Sequence, residues 1–122
     1  MYQESVENHD FLTVASLLQQ KPHASARLMG SPDAPILRGV VRLYPMPRGI
    51  LLAVEADHLP QGSLFELTIE GEGSLPSLLS VRGRTLQVMV VGACTVEDMM
   101  GREVVISVPG AREVLARGTI CP

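Results

Sequence analysis

The chain of 122 residues has no tryptophan and only two tyrosines and two phenylalanines. So few rings leave little to stack on nucleobases. The ten Lys and Arg residues are scattered, and the formal net charge is -3. The densest basic group, Arg38, Arg42 and Arg48, is interrupted by apolar residues. These features argue against nucleic acid as a partner. No run of about 18 apolar residues occurs, so no stretch reads as a membrane-spanning helix. The opening Met1–Glu7 lacks the basic start and apolar centre of a secretory signal, which predicts a cytoplasmic location. Two cysteines, Cys94 and Cys121, are too few for a disulfide framework. Reduced thiols are expected, with one bridge between them as the alternative.

What is present points to a single aliphatic core. Hydrophobic residues make up 46% of the chain, and with rings scarce that core must be built from Leu, Val, Ile, Ala and Met. Abundant Val and Ile, with 11 Gly and 9 Pro, describe strands punctuated by turns.

Asp10–Gln20 reads as a short helix, with Asp10 as N-cap and Pro22 just past its end. Its apolar stripe, Phe11, Leu12, Val14, Ala15, Leu17 and Leu18, suits packing on a barrel or on a partner. Period-two patterns then take over. Strands are expected at Ala24–Met29, Leu37–Tyr44, Ile50–Asp57, Phe65–Glu70, Thr85–Val91, Glu103–Val108 and Glu113–Ile120. Gly71–Arg84 reads as a linker, and Thr95–Gly101 as one turn of helix closed by glycine. In the fourth strand Phe65, Leu67 and Ile69 should face the core, with Glu66, Thr68 and Glu70 outward. Alternation also sets Leu51, Ala53, Met89 and Val91 outward, where apolar residues mark an interface or lie beneath the N-terminal helix. The expected fold is all-β: a Greek-key sandwich or barrel of about seven or eight strands with a short N-terminal helix. Residues 1–22 form the helical segment and 23–122 the barrel domain.

Candidate chemistry is thin. His9, His23 and His58 show no ligand spacing within one element, and each reads as a solvated histidine. No nucleophile elbow, phosphate-binding loop or Cys-x-x-Cys is present. Glu66 and Glu70, with Glu72 just beyond, form the densest carboxylate group and could hold a hard cation weakly. The alternative is a solvated strand face.

The order of segments resembles the copper/zinc superoxide dismutases, and most of all their divergent bacterial relatives. The resemblance runs through His23–Ser31, Leu37–Tyr44, Arg48–Val54 and His58–Pro60. It continues at Phe65–Gly71, where the family carries Phe-Gly-x-His-x-His-Glu. It resumes at Leu75–Leu78, Thr95–Ile106 and Val114–Ile120, covering most of residues 23 to 121 in collinear order.

The departures fall on the chemistry. By resemblance, the metal-ligand histidines are replaced by Thr68, Glu70 and Ser107, and the guiding arginine by Val114. Arg117 stands where the family has its disulfide cysteine, and only a few residues remain of the zinc loop. Copper cycling needs imidazoles that satisfy both Cu(I) and Cu(II). The resemblance therefore implies a metal-free, non-enzymatic barrel with no catalytic residues and no cofactor, acting in binding or assembly with a protein partner or as a homodimer. The alternative is a metal-handling protein with a rebuilt carboxylate site using Glu70, Glu72 and a histidine such as His58.

Overall fold

Alternating side chains make each segment half apolar, and a chain of such strands buries its inner faces only by wrapping them around one core. The computed structural model describes residues 11–111 and 113–122. It contains helix α1 (Phe11–Gln19), strands β1 (Ala24–Gly30), β2 (Arg38–Met46), β3 (Gly49–Asp57), β4 (Leu64–Ile69), β5 (Leu78–Leu79) and β6 (Thr85–Gly92). Helix α2 (Val96–Met99) and strands β7 (Glu103–Ser107) and β8 (Val114–Thr119) follow. Asp10, expected as the cap of α1, lies outside the described residues, as does His9.

The eight strands form one antiparallel sheet ordered β5-β4-β7-β8-β1-β2-β3-β6. β1, β2 and β3 form a meander. The chain then crosses to β4, and after β6 it crosses back to β7, which lies beside β4. These are Greek-key connections in an all-β, nearly closed barrel.

The core follows the predicted alternation. Phe65, Leu67 and Ile69 are buried and Glu66, Thr68 and Glu70 exposed. Leu37, Val41 and Leu43 fill the next wall, and Leu52 and Val54 the one after. Phe65 is the only ring in this main cluster among the described residues.

Two outward residues of β3 behave differently. Leu51 and Ala53 are buried on the outer face with Tyr44 and Val90, and Leu17 of α1 packs against them. The helix therefore covers this face at least in part. Met89 and Val91 correct the expectation: both point into the main core, because they pair with the inward Leu52 and Ile50. Val88–Val91 is an unbroken apolar run, so its phase comes from the β3 register and not from any pattern of its own.

The predicted linker Gly71–Arg84 contains strand β5 and a hairpin into β6. Val81 and Arg84 exchange backbone hydrogen bonds (Val81 N–H to Arg84 O, 2.8 Å; Arg84 N–H to Val81 O, 3.1 Å). Arg82 and Gly83 between them have φ of 54° and 78°, the signature of a two-residue primed turn. Beyond that bridge the barrel closes through a side chain. Gln87 Nε2 donates to Ser77 O (2.8 Å), and the Leu79 N–H donates to Gln87 Oε1 (3.2 Å). The amide of Gln87 thus substitutes for a backbone peptide. At the opposite seam Gly118 lies flat against β1, where a Cβ would collide with the Arg27 carbonyl.

α2 forms as predicted. Thr95 Oγ1 accepts from the Asp98 N–H (3.2 Å), Asp98 Oδ2 accepts from the Thr95 N–H (3.0 Å), and Gly101 follows at φ 83°. Val96 and Met99 point into the core.

The hairpin also buries two hydroxyls, Ser80 Oγ and Thr85 Oγ1, that have no hydrogen-bond partner. An unpaired buried hydroxyl costs about 1–3 kcal/mol, whereas losing an accessible pair of hydrogen bonds costs about 1 kcal/mol. Thermal unfolding should therefore show opposite signs for two neighbouring changes. Thr85→Val raises the midpoint by a few degrees, and Gln87→Leu lowers it by about as much. Shifts of the same sign would contradict this account of the seam.

Candidate functional site

The outer face of β4, β7 and β8 gathers the residues singled out in the sequence. Register sets three rows across these strands. Glu66 pairs with Ser107 and Ser107 with Val114; Thr68 pairs with Val105 and Val105 with Arg117. In the third row the Glu70 N–H donates to Glu103 O (2.9 Å), and Glu103 pairs with Thr119. A register shift between Ile106 and Ser107 leaves Leu115 as the extra residue on β8. Leu115 and Ala116 both enter the core, and Val114 is returned to the outer surface. Thr68, Glu70, Ser107 and Val114 thus lie on one continuous face.

The donors on that face are oxygens. Thr68 and Glu70 are exposed, and Ser107 is buried between its neighbours. Each acidic group near the strand end has a partner. Glu70 Oε1 accepts from the Glu103 N–H (3.3 Å), and Glu103 Oε2 faces Arg117 Nη1 at 3.6 Å. Glu72 Oε2 accepts from Arg102 Nη1 at 2.9 Å, the most enclosed ion pair of the described residues. Arg102 Nη1 also donates to Glu70 O (3.3 Å), which ties the turn after β4 to the start of β7.

This geometry separates the carboxylates expected to share a cation. Glu66 and Glu70 are four residues apart along one strand, about 13 Å, and Glu72 turns to Arg102. His58 lies on the loop entering β4, at the end opposite Glu70 and Glu72, exposed and with φ of 62°. His23 is also exposed and meets Glu97 (Nε2 to Oε1, 3.3 Å). Among the described residues no three His, Cys, Asp or Glu side chains converge to hold a metal ion. Arg102, Glu103 and Arg117 were not anticipated as part of this surface. Their only sequence signal is charge opposite to, or alternating with, that of Glu70 and Glu72, and it becomes meaningful once the register is known.

Cys94 and Cys121 are unbonded. Cys94 is half-buried with its thiol toward Val91 O (3.8 Å), while Cys121 is exposed on the tail that bridges Ser25. Burial pushes the Cys94 thiol above its ordinary range; Glu72 and Asp98 add to the shift and Arg102 opposes it. No helix among the described residues is long and apolar enough to cross a membrane.

No protein-family model matches this chain, and comparison of its sequence with curated proteins finds no relative.

A raised thiol pKa means less thiolate at a given pH, and the thiolate is the reactive form. At pH 8 iodoacetamide should therefore modify the exposed Cys121 faster than the half-buried Cys94. The lag should shrink as pH rises. Equal rates at pH 8, followed by peptide mass spectrometry, would contradict the environment described for Cys94.

Proposed function

We propose that this protein is a non-catalytic, superoxide-dismutase-like β-barrel that serves in binding or assembly and carries out no copper or zinc redox chemistry. The observation that carries the proposal is the donor set on the outer face of β4 and β7. Where the resemblance implies metal-binding histidines, this chain has the Thr68 hydroxyl, the Glu70 carboxylate and the Ser107 hydroxyl. Hydroxyls and carboxylates are hard donors, whereas copper cycling requires imidazole that accommodates both oxidation states.

Two further features support the reading. The eight antiparallel strands with Greek-key crossings are the architecture that the resemblance implies. Two of the acidic side chains of this region, Glu70 and Glu72, are already engaged. Glu70 accepts a backbone N–H, and Glu72 is paired with Arg102. Recruiting them to a cation would first break those contacts, which favours a structural role for them. With a short 70–78 connection in place of a long loop, less chain entropy opposes folding.

The test is elemental analysis and a superoxide dismutation assay on protein purified without added metal and again after incubation with copper and zinc. The proposal predicts far less than one equivalent of either metal and no dismutation above that of free ions. One tightly held equivalent of copper with dismutase activity would refute it.

A further inference from the structure

Strand register gathers arginines that the chain itself spaces out. Val40 stands half-buried on the outer face of β2. Arg27 of β1 pairs with it on one side, and Glu55 of β3 pairs with it on the other. Arg38 and Arg42 lie two residues before and after it on the same face. Paired residues stand about 5 Å apart, and residues two apart along a strand about 7 Å. Three guanidiniums on long side chains therefore surround one small apolar floor. They wall a shallow depression of about 640 Å³ that also takes in Ser25 and Met29.

The carboxylates of this wall are already occupied. Glu55 Oε2 holds Arg42 Nη1 at 3.2 Å, and Asp57 Oδ1 holds Arg84 Nε at 3.0 Å. Arg38 is set by carbonyls instead: its Nη1 donates to Pro35 O (2.9 Å) and Leu37 O (2.7 Å). Those bonds orient the guanidinium without neutralising it. Arg27 is exposed and has no acidic partner among the described residues. Two arginine charges thus stand unneutralised around one position, in a chain whose formal net charge is -3. Like charges held as neighbours on one sheet face cost stability.

We infer that this depression is an anion site and that it takes a phosphate monoester. At neutral pH a phosphate monoester carries close to two negative charges and offers three acceptor oxygens. That matches Arg27 and Arg38, with Arg42 held alongside by Glu55. Arginine is the side chain best shaped to grip such oxygens in pairs. A carboxylate or a phosphodiester carries one charge and would leave one of the two arginines unanswered. Met29, 54% exposed, and Val40 offer apolar contact to whatever bears the phosphate. The site lies on a different wall of the barrel from Thr68, Glu70 and Ser107, so it goes beyond the reading proposed above.

The test is an NMR titration of the isotope-labelled full chain at low salt. The ligands are free phosphoserine, a phosphoserine peptide and the same peptide unphosphorylated, with chloride added to equal ionic strength as a control. The expected result is saturable movement of the Arg27, Val40 and Arg42 amides, with a Kd of about 1 mM or tighter for a phosphorylated ligand. Arg27→Gln and Arg38→Gln should each weaken binding at least about fivefold. Arg27→Gln should leave the thermal midpoint unchanged or slightly raised, because it removes a like charge. Arg48→Gln, on the exposed turn after β2, should bind as the parent chain does. A phosphopeptide about tenfold tighter than phosphoserine supports the site and assigns it to a phosphorylated protein; equal affinities support it and assign it to a small organic phosphate. No saturation up to about 20 mM of either phosphorylated ligand would overturn the inference. So would shifts that chloride reproduces, or binding indifferent to Arg27→Gln. Metal content and dismutation are measured separately, so failure here leaves the non-catalytic reading to its own assay.

Discussion

An aliphatic core dominated by Leu, Val and Ile has no internal skeleton, so it is held by whatever encloses it. In this chain the enclosure is a single antiparallel sheet, and the constraint on everything else is that its wall must close. One closing seam, β8 to β1, uses backbone contact. Met29 and Gly30 pair with Arg117 and Ala116, Gly118 lies flush against Arg27, and Cys121 bridges Ser25. The other, β5 to β6, is too short for a full ladder and is completed by the Gln87 amide. A sheet that failed at either seam would expose edge strands and wet the core.

The closing devices also shape the surface. β5 has only two residues, and the exposed Leu64, Leu79 and Leu86 stand on the outer face around its seam. On the far wall the bulge at Leu115 adds one more side chain to the core and returns Val114 to the outside. α1 partly covers the β3 face through Leu17, so the outward Leu51 and Ala53 are core residues of a second, smaller cluster.

Strands with clean alternation were legible in the sequence. β4 reads buried and exposed by turns from Leu64 to Ile69, and β2 and β3 keep Leu43, Leu52 and Val54 inward as expected. Gly101 marked the end of α2 in the sequence because positive-φ glycines are local chemistry, whereas the Thr95–Asp98 capping pair emerged with the structure. What could not be read depends on distant partners. Val88–Val91 takes its phase from β3, and β5 exists only because β4 and Gln87 hold it. Arg102 matters because the fold brings it to Glu72, thirty residues away in the chain. For the candidate site, the identities of Thr68, Glu70, Ser107 and Val114 were on the page from the start. Their common face was not, since it requires the β4–β7–β8 register and the bulge.

The proposed reading comes down to one account: the barrel, held by an enclosed aliphatic core and by arginine–carboxylate ties such as Arg102 with Glu72, is proposed to need no metal to staple it. The most direct measurement of that claim is thermal unfolding of the purified chain with and without a strong chelator, repeated after dialysis against zinc. The account predicts superimposable transitions in all three conditions, because nothing bound to the native state alone would be gained or lost. A midpoint that falls by several degrees on chelation, and is restored by zinc, would contradict it.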